Sequence, residues 1–87
     1  MEERTVTVRR PEGVHLRVAS EIVTTCLKGR SDVRIVKDGK EADGASILEV
    51  LLLEATPGSS VKISVSGDDE IIVAGLLSDL FSEGSGI

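Results

Sequence analysis

The chain is nearly without aromatic residues: Phe81 stands alone among 87 residues, with no Trp and no Tyr. Any core it builds is therefore aliphatic. It also lacks a platform on which bases could stack, and with a net charge of −5 this argues against nucleic-acid binding. Cysteine is as scarce. Cys26 alone allows neither an intramolecular disulfide nor a Cys-based zinc site, and it fits a reducing cytoplasm. The longest apolar run, around Leu51-Leu52-Leu53, is far too short to span a bilayer. Met1-Glu2-Glu3-Arg4 leads into no apolar signal core. Repeats, linkers, a Gly-rich nucleotide loop and an acidic metal cluster are all missing, so no metal and no cofactor is expected.

What is present is aliphatic patterning in a length that suits one domain, residues 1–87. Thr5-Val6-Thr7-Val8 alternates as a half-buried strand does, and Pro11-Glu12-Gly13 breaks it. From His15 the period becomes helical: Ala19, Ile22, Val23, Cys26 and Leu27 form one apolar face, and Gly29 sits where a helix-ending glycine belongs. Val33 and Ile35 start a second strand. Asp38-Gly39 between lysines signals a two-residue hairpin into a short third strand that ends at Asp43. Ser46 and Glu49 have the spacing of a capping box, which starts a short helix that ends before Thr56-Pro57-Gly58. Val61, Ile63 and Val65 alternate with Lys62, Ser64 and Ser66. Gly67-Asp68 then turns the chain into a last helix, with Val73, Leu76, Leu77, Leu80 and Phe81 as its buried stripe and Ser82 to Ile87 as a frayed tail. The order is βαββαβα. Clean alternation implies a sheet with one wet face, so the class is α+β: a two-layer open sandwich, its helices on the other face.

The chemistry concentrates in Gly13-Val14-His15-Leu16-Arg17-Val18-Ala19. His15, the only histidine, falls just after a glycine turn at the start of a helix. A helix N-terminus presents unpaired N–H groups and the positive dipole end, and so favours phosphate. Arg17 can add a bidentate contact to phosphate oxygens, and a neutral imidazole nitrogen is a nucleophile. Arg9, Arg10, Lys28 and Arg30 extend a locally basic corner on an acidic chain, which suits an anionic ligand or an acidic partner. Taken alone, a histidine at a helix start also reads as a capping residue, and Arg17 as a solvated one. Glu12 could join His15 at a metal, but two ligands are too few for a tight site. Asp68-Asp69-Glu70 reads more simply as carboxylates placed at a helix dipole.

These residues resemble the histidine-containing phosphocarrier (HPr) family of the bacterial sugar phosphotransferase system, whose signature is Gly-Leu-His-Ala-Arg-Pro-Ala. The resemblance continues through Pro11, Gly39-Lys40, Ser46-Ile47, Gly58 and Gly67-Asp68-Asp69-Glu70. It implies an open-faced β-sandwich with a four-stranded antiparallel sheet and three helices on one face. It also implies a cytoplasmic, monomeric phosphoryl carrier rather than an enzyme. His15 would take the group from phosphorylated enzyme I and pass it to the IIA component of a sugar transporter. Arg17 would steady the phosphoryl group, and Leu16, Ile47, Leu48 and Leu51 would dock partners. Ser46 matches the position that a dedicated kinase (HPr kinase/phosphorylase) phosphorylates in some bacteria. The chain departs from the family at Val18, where the signature has proline, at Leu16, and at Thr24, Leu27, Glu49 and Glu54 on the surface. The retained His15 and Arg17 favour a relay. The drifted surface favours the alternative, a regulatory binding module that acts through Ser46 and the apolar patch of the second helix.

Overall fold

The computed structural model describes residues 1–11 and 13–82. Its elements follow the order βαββαβα: β1 (Glu2–Thr7), α1 (Leu16–Lys28), β2 (Ser31–Lys37), β3 (Lys40–Asp43), α2 (Ile47–Leu52), β4 (Ser60–Gly67) and α3 (Glu70–Ser82). The four strands form one sheet in the order β1-β4-β2-β3, every neighbouring pair antiparallel. Val61, Ile63 and Val65 of β4 and Val33 and Ile35 of β2 point to the helix side and are buried. The intervening residues of both strands face away from it. Val33 pairs with Val65 and Ile35 with Ile63, so the inward side chains meet in cross-strand pairs. Val18, Ala19, Ile22 and Cys26 of α1 and Val73, Ala74, Leu77 and Phe81 of α3 close the core over them.

Several expectations are met in detail. Asp38 and Gly39 have φ of 51° and 82°, the two positive values that a type I′ hairpin needs. Others are corrected. β1 starts at Glu2, before the alternating segment. Its inward positions there carry Glu2 and Arg4, paired at 3.0 Å, so apolar alternation could not mark them. Leu27 is exposed: it lies one residue, about 100° around the helix, beyond Cys26, and the core ends there. Leu76 is exposed as well, and Ala74 takes its place in the core. α3 is apolar almost all round, so periodicity does not fix its inner face. Gly29 is the C-cap of α1, as expected, but its φ of −81° is one that any residue can adopt; it is small because a Cβ there would come within 2.9 Å of Val73 on α3. α3 itself runs through Ser82, and the rest of the segment read as a tail lies outside the described residues.

Two long-range polar contacts hold the helix layer. Arg10 Nε donates to the Leu80 carbonyl at 2.7 Å, putting a cation on the C-terminal end of α3. At the other end of α3, Asp69 accepts from the Arg30 amide (2.9 and 3.1 Å) and from the Ser31 hydroxyl (2.6 Å). It thereby ties the start of α3 to the α1–β2 turn. Neighbouring Glu70 accepts from the Gly67 amide at 3.1 Å and pairs with the Met1 ammonium at 3.0 Å. Asp69 and Glu70 thus supply turn and cap acceptors. The Cys26 thiol is buried where a side chain on Gly44 would strike it. Burial, and then the charge of Asp43, push its pKa up to about 11, so it stays a protonated, unreactive thiol.

The Ser31 hydroxyl foremost, then the Arg30 amide, hold the Asp69 carboxyl below its ordinary value of 3.8. A carboxylate whose pKa folding lowers contributes fully at pH above its unfolded value. That contribution is lost as pH falls through the lower folded value. Asp69→Asn should therefore unfold more readily than the parent at neutral pH, and the gap should narrow as pH drops below about 4. Glu70, lowered in the same direction by the Gly67 amide and the N-terminal amine, keeps some acid dependence in the variant. Urea melts at a series of pH values read this directly, and a gap that is constant with pH would refute it.

Candidate functional site

The approach to His15 is built by packing against a second loop. Gly13 has φ +71°, and a Cβ there would lie 2.6 Å from the Ala55 carbonyl oxygen and 3.2 Å from the Thr56 Cα. Only glycine meets both demands at once. The next residue, Val14, is buried and its amide donates to that same Ala55 carbonyl at 2.9 Å. The supporting loop is clamped in turn. The Val8 amide donates to the Ser59 carbonyl and the Gly58 amide to the Val8 carbonyl, each at 2.8 Å. Glu54, just before Ala55, has φ +53°, a left-handed conformation that side chains other than those of Gly, Asn and Asp seldom take.

From this seat His15 becomes the N-cap of α1, with extended backbone (φ −95°, ψ −177°). Its carbonyl accepts the first helical bond, from the Ala19 amide at 2.8 Å. Its Nδ1 accepts from the Arg17 amide at 3.3 Å. The imidazole therefore does what a Ser or Asp oxygen does at other helix starts. An accepting Nδ1 carries a lone pair, so this geometry assigns the proton of the neutral ring to Nε2. His15 is half-buried, Leu16 and Arg17 are exposed, and Val18 turns fully inward. The structure thus brings a nucleophilic nitrogen, the amino end of a thirteen-residue helix and a guanidinium into one turn of chain.

Three other members of the basic corner do not join the site. Arg10 is spent on the end of α3. Lys28 closes the far end of α1 and Arg30 lies just beyond it, roughly 20 Å from His15 at 1.5 Å per residue. Glu12, weighed above as a metal partner of His15, lies outside the described residues. Among the described residues no group of three His, Cys, Asp or Glu side chains could hold a metal ion, and no helix is long and apolar enough to cross a membrane.

Ser46 caps α2, accepting the Glu49 amide at 3.3 Å. The reciprocal half of a capping box is not made: Glu49 reaches past Ser46 to accept the Asp43 amide at 2.8 Å. Leu16, Ile47 and Leu48 are 63%, 37% and 64% exposed, whereas Leu51 is half-buried and packs against the core. Leu52, 61% exposed, was not singled out from the sequence. The leucine run hid which of its members faces out, because α2 is only six residues long and offers no full second turn to fix a face. The buttress at Ala55–Pro57 was missed too. Its one sequence signal is Gly13 ahead of the histidine.

A family model described as the PTS HPr component phosphorylation site matches residues 2–83. The phosphocarrier protein HPr of Xylella fastidiosa is 33% identical over 81 residues, which cover 93% of this chain and 91% of that protein. Among solved structures, HPr-C-His from Thermoanaerobacter tengcongensis matches with a TM-score of 0.87 at 34% identity, covering 93% of this chain and 91% of that one. The phosphocarrier protein HPr from Bacillus anthracis matches with a TM-score of 0.88 at 26% identity, covering 92% and 95%.

The packing of Gly13 predicts a graded cost. Gly13→Ala should lose about 2–3 kcal/mol of stability, from strain at positive φ together with overpacking. Gly58→Ala, at φ +89° but with nothing within 4 Å of the added methyl, should lose only about 1 kcal/mol. Glu54→Gly should gain about 1 kcal/mol by relieving the left-handed residue. Denaturant midpoints rank the three, and equal losses for the two alanine variants would contradict the buttress.

Proposed function

This chain belongs to the HPr family of phosphotransferase-system phosphocarriers, and we propose that it accepts a phosphoryl group on His15 from phosphorylated enzyme I and hands it to a IIA component of a sugar transporter. The reading places it in the cytoplasm as a single-domain monomer that carries the group and catalyses no reaction on a free substrate. The observation that carries it is the bond between His15 Nδ1 and the Arg17 amide. The nitrogen that caps the helix is also the one whose lone pair can attack phosphorus.

The chemistry follows from that double use. As the donor protein brings its phosphoryl group in line with Nδ1, the lone pair leaves the Arg17 N–H and forms the N–P bond. The bond from phosphorus to the donor breaks, and its electron pair returns to the donor. The freed N–H then finds a stronger acceptor, a phosphoryl oxygen, and the helix dipole favours the new negative charge. The exposed Arg17 guanidinium closes over the remaining oxygens with charge-assisted bonds. Transfer onward is the reverse, with Nδ1 restored as the cap. Leu16, Ile47 and Leu48, with Leu51 contributing its open edge, provide apolar surface for both partners. Burying these side chains excludes water while the group is in transit.

A second reading is favoured by the exposed Ile47, Leu48 and Leu52 directly after Ser46. In it the chain is a regulatory module that binds a partner through this patch, under control of Ser46 phosphorylation by an HPr kinase/phosphorylase. The two readings differ in their dependence on His15.

Incubation with enzyme I and phosphoenolpyruvate, read by intact mass, separates them. The parent should gain one phosphoryl group that is lost in acid and kept in base, and His15→Ala should gain none. Arg17→Ala should be phosphorylated at least about tenfold more slowly, the scale of losing charge-assisted bonds worth about 1.5–3 kcal/mol. No gain, in a mixture where another HPr is phosphorylated, would defeat the relay through that enzyme I and favour the second reading.

A further inference from the structure

Among the donors at the start of α1, one has no role yet. The Ala19 amide makes the first helical bond and the Arg17 amide is held by His15 Nδ1. The Val18 amide, between them, has no hydrogen-bond partner among the described residues. Val18 is 0% exposed. A buried backbone N–H without a partner is rare and costs free energy comparable to a lost hydrogen bond. It sits at the third helical position, one of the two whose amides a capping side chain bonds.

We propose that the Val18 amide is a dedicated donor to the phosphoryl group on His15, unpaired in the unmodified protein and satisfied only when the group is present. This deepens the carrier reading and rests on it. His15 Nδ1 can hold one amide at a time and holds that of Arg17. A phosphoryl group bonded to Nδ1 brings several acceptor oxygens to the same helix end, enough for both amides. Folding leaves this donor unsatisfied, and phosphorylation removes the deficit, so the amide favours the charged form selectively. The proline of the family signature has no N–H to give at this position. Valine here therefore changes the chemistry of the site as well as its packing. The consequence is a phosphohistidine held more tightly than a proline at residue 18 would allow, with the phosphoryl-transfer equilibrium moved toward this protein.

The test loads the full chain with potassium phosphoramidate, which transfers its phosphoryl group to imidazole and releases ammonia, so that no docking to enzyme I is needed. Val18→Pro removes the N–H, while Val18→Ala keeps it. Both lose valine packing, so their comparison isolates the donor. The equilibrium for phosphoryl exchange with a second HPr should lie about tenfold less toward Val18→Pro than toward Val18→Ala, the fold-change of one charge-assisted hydrogen bond. In the parent, the Val18 amide proton should move strongly downfield on phosphorylation in a ¹H–¹⁵N spectrum. Equal equilibria for the two variants, or an amide proton that does not move, would overturn the proposal while leaving the carrier reading intact. Absence of phosphate on His15 from both phosphoramidate and enzyme I would overturn the two together.

Discussion

The amino end of α1 is the constraint to which the other features answer. A helix leaves its first amides unpaired, and something must accept from them. Here the acceptor is an imidazole nitrogen rather than the hydroxyl or carboxylate usual at that position. This choice couples stability to reactivity, because the lone pair that closes the helix is the lone pair a nucleophile needs. In the carrier reading the competition is resolved by exchange. Nδ1 gives up its hold on the Arg17 amide when it bonds to phosphorus, and the incoming oxygens take over the capping. The helix is capped before and after transfer, and neither state leaves all its donors empty.

Such an exchange demands that the imidazole not wander, and the fixing is done by backbone. Gly13 lies flat against the Ala55 carbonyl, Val14 is sunk in the core and bonded to that carbonyl, and residues 58 and 59 are tied to Val8. The left-handed Glu54 leads into this loop. Strain of about 1 kcal/mol there is tolerated because the bonds from Val14 and the packing of Ala55 determine the path of the chain. Two loops far apart in sequence thus hold one ring, and the sheet that anchors β1 and β4 side by side carries both.

The sequence revealed most where a pattern repeats and least where a single contact decides. Alternation in β4 and β2 fixed their inner faces, and the positive φ of Asp38 and Gly39 followed from residue type. The helical period of α1 placed its inner face but overran it at Leu27. α3 had too little contrast between its faces for Leu76 to be told from Ala74. Gly29 was read as a helix terminator and is the C-cap of α1, but its close approach to Val73 was not legible. At the site, the motif marked His15 and Arg17 as neighbours, and the helix-start reading placed them in one turn. Neither the buttress at Ala55, nor the diversion of the Arg10 guanidinium to the Leu80 carbonyl, nor the bond from the Arg30 backbone amide to Asp69 was legible. Each depends on a partner forty or more residues away, or on a backbone amide that carries no sequence signature.

That diversion bears on how partners are recognised. The chain is acidic overall, and its basic residues near His15 looked in sequence like a patch for steering anions. In space Arg10 serves the Leu80 carbonyl and Arg30 lies at the other end of α1, and Arg17 is the cation within the first turn. Glu49 adds a negative charge on α2, held toward the Asp43 amide. A surface with so little concentrated positive charge gains little from long-range attraction, which salt screens over about 8–10 Å. Its exposed leucines and isoleucine offer apolar area that is indifferent to salt. In the carrier reading, recognition would then rest on shape and apolar burial around Arg17, with Leu16, Ile47 and Leu48 supplying the exposed apolar area.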